Sequence, residues 1–194
     1  MNHLPNILSI FRLILAPFFY VCIISDNSQT VVLGVILFIV GALTDYLDGL
    51  LARKYQAISS VGKFLDPLAD KVLTGFALVA FSSMKIIPLW MVLIVLFRDL
   101  LTTMIRTIDT SGRLNFKTSE IARIKTFIQM AFIAAILFIV FLYHTGMLEI
   151  TQADYDSFLK SDWIDYTMLF IVLLTLYTFV DYILKIFVSF KKKK

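Results

Sequence analysis

Residues 31–53 read VVLGVILFIVGALTDYLDGLLAR. The first part, 31–43, carries no charge, and Asp45 and Asp48 then follow in quick succession before Arg53. At a rise of about 1.5 Å per residue, such a stretch is long enough as a helix to cross a hydrocarbon core of about 30 Å. The next residues, KYQAISSVGKFLDPLAD (54–70), add Asp66 and Asp70. A membrane helix that ends in carboxylates has to account for them, because ionisable groups at membrane depth are costly and face a bundle interior or a watery cavity.

The surrounding chain fits a membrane setting. It has 194 residues, 59% of them hydrophobic, and a mean hydropathy of +0.86, against about 45–50% apolar in soluble domains. The excess lies in six blocks, at about 5–24, 31–53, 64–84, 87–108, 121–143 and 164–188. These continuous runs predict an all-α polytopic membrane protein, with six transmembrane helices in one bundle and one domain over 1–194. They do not have the period-2 alternation of a membrane β-barrel. Pro5 and Pro88 stand where helices can open, Pro17 stands inside a helix, and Pro67 predicts a kink or a helix restart near Asp66. Cys22, the single cysteine, excludes an intrachain disulfide. The stretch MNHLPN lacks the Lys or Arg of a cleaved signal peptide.

Charge sets the orientation. Arg53, Lys54 and Lys63 fall in one connection, Arg106, Arg113, Lys117, Arg123 and Lys125 cluster near another, and the chain ends KKKK (191–194). All three lie on one side of a six-span bundle. The opposite side holds Glu149, Asp154, Asp156, Asp162 and Asp165 against Lys160 in its longest loop. The basic side is expected in the cytoplasm together with both termini and the mouth of a polar cavity. The terminal lysines serve to anchor the last helix at anionic headgroups, and no nucleic-acid partner is expected.

The four Asp match in depth if 31–53 and 62–84 are antiparallel helices. Asp45 is eight residues before Arg53, and Asp70 is eight after Gly62, which puts both about 12 Å along their helices. Asp48 and Asp66 sit nearer the ends. Asp45, Asp48, Gly49 and Ala52 share one stripe, while Gly62, Asp66 and Asp70 form an i, i+4, i+8 row. The small residues Gly49, Ala52 and Gly62 permit close approach. Four converging carboxylates repel one another unless cations or protons intervene. Hard oxygen donors without His or Cys select Mg²⁺, Mn²⁺ or Ca²⁺ over zinc. Two such ions about 3.5–4 Å apart can clamp an in-line phosphoryl displacement.

The pattern D-x2-D-G-x2-A-R-x8-G-x3-D-x3-D, supplied here by Asp45, Asp48, Gly49, Ala52, Arg53, Gly62, Asp66 and Asp70, resembles the signature of the CDP-alcohol phosphatidyltransferases. The resemblance implies a six-helix membrane enzyme, often dimeric, that moves a phosphatidyl group from a CDP-linked lipid to an alcohol and releases CMP. It implies Asp45, Asp48, Asp66 and Asp70 as ligands of two Mg²⁺ or Mn²⁺ ions, with Asp70 also the general base. Gly49, Ala52, Arg53, Gly62 and, by position, Ser59 would lie against the CDP moiety. The start LPNILSIFRL (4–13) is similar to that of phosphatidylglycerophosphate synthases and would bring Asn6, Ser9 and Arg12, spaced i, i+3, i+6, to the nucleotide end.

RDLLTTMIR (98–106) and ARIKTFIQM (122–130) resemble the R-[ED]-x3-T-x2-R and K-x-K-T-x2-Q segments of the same synthases through Arg98, Asp99, Thr103, Arg106, Lys125, Thr126 and Gln129. Position 123 has Arg for the usual Lys, and Asp99 replaces the commoner Glu, as in cardiolipin synthases of the family. An acceptor phosphate needs cations at the cytoplasmic mouth, and Arg106, Arg113, Arg123, Lys125 and Thr126 are the candidates. The expected reaction transfers the phosphatidyl group of CDP-diacylglycerol to sn-glycerol 3-phosphate in a bacterial cytoplasmic (inner) membrane, the expected partners being membrane lipid and a second copy of the chain. Phosphatidylglycerol as acceptor would give cardiolipin instead. A prenyltransferase would need two separated Asp-rich motifs. A divalent-cation transporter would have to admit cations through a basic mouth. Asp181 and Lys185, an i, i+4 pair, are expected to form a structural ion pair.

Overall fold

The computed structural model describes residues 4–55, 62–108 and 120–191, and within them the side chains of 7–45, 68–69, 71–105 and 120–186. Every element among the described residues is α-helical: α1 (Leu4–Ile23), α2 (Ser28–Tyr55), α3 (Gly62–Ser83), α4 (Leu89–Ile108), α5 (Glu120–Thr145), α6 (Gln152–Leu159) and α7 (Asp162–Lys191). Six of them correspond to the six apolar blocks. The short α6 lies inside the acidic 144–165 connection, where the sequence alone predicts a loop.

The helix ends follow from local chemistry. Asn27 caps α2, its Oδ1 accepting from the Gln29 and Thr30 amides at 2.8 and 3.3 Å. Thr151 caps α6, accepting from the Asp154 amide. α3 ends in a Schellman turn: the Ile86 amide donates to Phe81 O and the Lys85 amide to Ser82 O. The left-handed position is filled by Lys85, at φ +59°, where glycine is usual. α5 ends at Gly146, φ +65°. α3 runs unbroken through Pro67, so the expected restart near Asp66 is absent; as the sixth residue of the helix, Pro67 costs it one backbone bond, that to the Lys63 carbonyl.

The six long helices close a ring in the packing order α1, α3, α4, α7, α5, α2, and α3 also touches α5 across it. Phe19, Phe38, Phe81, Val92, Ile133 and Ile171 belong to the buried core. At α2, Gly34 lets α1 approach, since a Cβ there would lie 3.0 Å from the Ile23 backbone nitrogen. At one end α6 packs beneath α5, with Tyr143 stacked on Tyr155 at a 4.0 Å ring separation.

Polarity is inverted relative to a soluble protein. Ile10, Phe18, Leu93, Phe97, Phe127 and Phe170 are exposed, whereas Ser9, Arg12, Asp99, Lys125 and Gln129 are buried. Such apolar outer faces need hydrocarbon around them. Three stretches, Ser28–Asp45, Glu120–Thr145 and Gln152–Ile186, are long and apolar enough to cross a membrane, and Ile7–Ile23 and Lys71–Ser83 are shorter apolar helices. The protein is an integral membrane protein.

Candidate active site

α1 turns Ser9, Arg12, Ala16, Phe19 and Ile23 inward, an i, i+3, i+4 row that packs on α2 and α3. Arg12 is 0% exposed, so its charge cannot be met by water and has to be met by a counterion. Arg12 Nη1 donates to Asp45 Oδ1 on α2 at 2.5 Å. The Asp45 side chain is 46% exposed, so the buried cation is met by a carboxylate that remains accessible.

A second polar cluster lies where α4, α5 and α7 meet. Lys125 Nζ on α5 donates to both carboxylate oxygens of Asp99 on α4, at 2.9 and 2.8 Å. Arg98 Nη1 donates to Asp99 Oδ1 at 3.0 Å, and its Nη2 to Thr178 Oγ1 on α7 at 2.8 Å. The side chains of Lys125, Asp99 and Arg98 are 1%, 8% and 14% exposed. Lys71 and Asp99 line one cleft of about 160 Å³ between α3 and α4, which places this cluster level with the Asp70 turn of α3.

The profile of the CDP-alcohol phosphatidyltransferases matches residues 2–153. The chain belongs to this family. It is therefore a transferase of phospholipid biosynthesis. Among its relatives is a CDP-diacylglycerol–glycerol-3-phosphate 3-phosphatidyltransferase of Rickettsia typhi, 34% identical over 130 residues, covering 67% of this chain and 73% of the relative. The protein of the same name from Bacillus subtilis is 33% identical over 149 residues, covering 71% and 77%. A probable phosphatidylglycerophosphate synthase of Mycobacterium tuberculosis is 35% identical over 130 residues, covering 66% and 62%.

In this phosphatidyltransferase the signature residues ride on two helices: Asp45, Asp48, Gly49, Ala52 and Arg53 on α2, and Gly62, Asp66 and Asp70 on α3. Of the four Asp, the described side chain is that of Asp45. The side chains of Asn6, Asp48, Ala52, Arg53, Asp66, Asp70 and Arg106, and the whole of Ser59, Arg113 and Lys117, lie outside the described residues. Ser9 and Arg12 are both buried. Of the expected acceptor residues, Lys125 is buried against Asp99. Arg123 is exposed and pairs with Glu120 at 3.0 Å. Thr126 is exposed and donates to Ala122 O.

Two features of the transferase went beyond the sequence reading. Arg98 and Asp99 are consecutive on α4, about 100° apart around the helix, yet the long Arg98 side chain folds back to meet Asp99. Its other anchor, Thr178, has no sequence signal. The second feature is an apolar groove of about 680 Å³ between α2 and α5, lined by Phe38, Ala42, Leu43, Phe127, Met130 and Phe138 among others. Ala42 lies one helical turn from Asp45, so the groove opens beside the charged end of α2.

Proposed function

We propose that this enzyme transfers the phosphatidyl group of CDP-diacylglycerol to sn-glycerol 3-phosphate, giving phosphatidylglycerophosphate and CMP. The observation that carries this reading is the similarity to relatives named for that reaction, over 67% and 71% of the chain. Six spans, both termini and the site at the cytoplasmic face of a bacterial inner membrane, and a homodimeric assembly complete the reading. The basic stretches around 53–63, 106–125 and 191–194 support the orientation.

The donor set fits a hard divalent cation: carboxylate oxygens on adjacent helices, one of them, Asp45, half open and backed by Arg12. Asp45, Asp48, Asp66 and Asp70 would hold two Mg²⁺ or Mn²⁺ ions. When bound, these ions would neutralise the diphosphate and stabilise the departing phosphate. Arg12 holds one oxygen of Asp45. Asn6, Ser9, Gly49, Ala52, Arg53, Ser59 and Gly62 accommodate the CDP portion, while the groove between α2 and α5 takes an acyl chain from the bilayer. Arg106, Arg113, Arg123, Lys125 and Thr126 serve the acceptor phosphate. Asp70 takes the proton of the glycerol primary hydroxyl, the oxygen bonds to the lipid-linked phosphorus, and the bond from that phosphorus to CMP breaks.

Purified protein given CDP-diacylglycerol and Mg²⁺ should release CMP only when glycerol 3-phosphate is added, and Asp70→Asn should stop release. CMP release with phosphatidylglycerol and none with glycerol 3-phosphate would replace this assignment by cardiolipin synthesis.

A further inference from the structure

The α4–α5–α7 junction has more positive charge and more donors than its one described carboxylate can use. Asp99 Oδ1 accepts from both Lys125 and Arg98, and Oδ2 accepts again from Lys125. An ammonium has three N–H donors, so Lys125 keeps one beyond those given to Asp99. Arg98 commits Nη1 and Nη2 to Asp99 and Thr178, but its Nε is buried with no hydrogen-bond partner among the described residues. Gln129, one turn along α5 from Lys125, is 4% exposed. Its carboxamide takes part in none of the cluster's bonds. Buried polar groups are nearly always satisfied in native proteins. A purely structural ion pair would balance its charges and use its donors. Among the described residues this cluster does neither.

We propose that Asp99 is a positioning residue for the acceptor. It touches neither substrate. It fixes the Lys125 ammonium and the Arg98 guanidinium in the bundle interior, so that the remaining Lys125 donor and the neighbouring Gln129 carboxamide serve the phosphate and hydroxyls of the acceptor. Thr178 holds Arg98 from α7 and so restrains the same cations. The inference deepens the acceptor reading above and rests on it.

The test uses the full-length protein in lipid nanodiscs, with CMP release measured while each substrate is varied in turn and folded protein quantified by thermal unfolding. Asp99→Asn is expected to raise the KM for glycerol 3-phosphate about tenfold or more, leaving kcat and the KM for CDP-diacylglycerol within about threefold. Asp99→Glu, which keeps the charge, should recover most of that loss. Thr178→Val removes one anchor of Arg98 without changing charge and should raise the acceptor KM about threefold; it decides the matter if Asp99→Asn does not fold. The proposal is overturned if kcat and both KM values change together in step with lost folded protein, or if Thr178→Val leaves the acceptor KM unmoved. If wild-type protein uses phosphatidylglycerol instead, the acceptor reading fails, and the same KM comparison with that lipid still decides the role of Asp99.

Discussion

The Asp99–Lys125 pair makes an asymmetric prediction about stability. Take Lys125→Met, Asp99→Ala and the double variant. In Lys125→Met the thioether chain fills the space of the lysine stem, and Asp99 still accepts from Arg98 Nη1 at 3.0 Å. The loss is confined to the charge-assisted bonds from Nζ, about 1.5–3 kcal/mol. Asp99→Ala leaves Arg98 and Lys125, 14% and 1% exposed, without their shared carboxylate. Removing one side of a buried ion pair costs about 3–5 kcal/mol. In the double variant Arg98 no longer has Lys125 as a like-charged neighbour and retains Thr178. Its cost should fall short of the sum of the single costs by about 2–3 kcal/mol. Equilibrium unfolding in detergent, followed by the fluorescence of Trp90 and Trp163, measures all three. Additivity within about 0.5 kcal/mol, or a larger cost for Lys125→Met than for Asp99→Ala, would refute the reasoning.

Lys85→Gly should stabilise the protein by about 1 kcal/mol, because it relieves a left-handed lysine at φ +59° without removing the Schellman bonds; a fall in thermal midpoint would contradict this. Ala134→Trp, which fills the groove between α2 and α5, should impair transfer from long-chain CDP-diacylglycerol while sparing a short-chain analogue, and equal loss with both would remove the acyl chain from that groove. Chelation with EDTA should stop CMP release and added Mg²⁺ should restore it; full activity in EDTA would sink the metal assignment. Arg12→Lys should raise the Mg²⁺ concentration needed for half-maximal activity and for thermal protection by Mg²⁺, since Arg12 backs Asp45 at 2.5 Å and a lysine cannot reproduce the guanidinium fork. An unchanged Mg²⁺ dependence in both readouts would place Arg12 outside the metal site.

The long helices were legible because a continuous apolar run has one inexpensive state in a bilayer: every backbone group bonded within its own segment. Block 87–108 became Leu89–Ile108, and block 31–53 became Ser28–Tyr55. α6 was not legible. Its apolar residues Tyr155, Phe158 and Leu159 are interrupted by Asp156 and Ser157, and it is held by the Thr151 cap and by Tyr155 stacking on Tyr143, a tertiary contact outside the helix. The Asp181–Lys185 pair forms at 2.6 Å as its spacing implies, because both partners sit on one helix face. Arg12–Asp45 spans 33 positions. Nothing local in either segment specifies that pairing, and the same Arg12 read equally well as a nucleotide contact. Lys125 read as a cation at the cytoplasmic mouth; its 1% exposure depends on Asp99, whose partner could not be chosen from adjacent positions on a helix.

On the proposed reading, the ring order of the helices lets the two ionic clusters serve different substrates. α3 packs against α1 on one side and α4 on the other, so Asp66 and Asp70 travel on a helix that neighbours both Arg12 and Asp99. Displacement at phosphorus brings the attacking oxygen in opposite the leaving group. On the proposed reading the CDP end belongs with α1 and α2, beside the apolar groove, and the acceptor belongs with α4 and α5. Among the described residues, each cluster buries a cation against a carboxylate: Arg12 with Asp45, Lys125 with Asp99. The carboxylates differ in access, 46% exposed for Asp45 against 8% for Asp99. An exposed carboxylate can take a further ligand, whereas a buried one can only hold what already surrounds it. On the proposed reading, that difference in burial, more than residue type, divides a ligand role for Asp45 from a positioning role for Asp99.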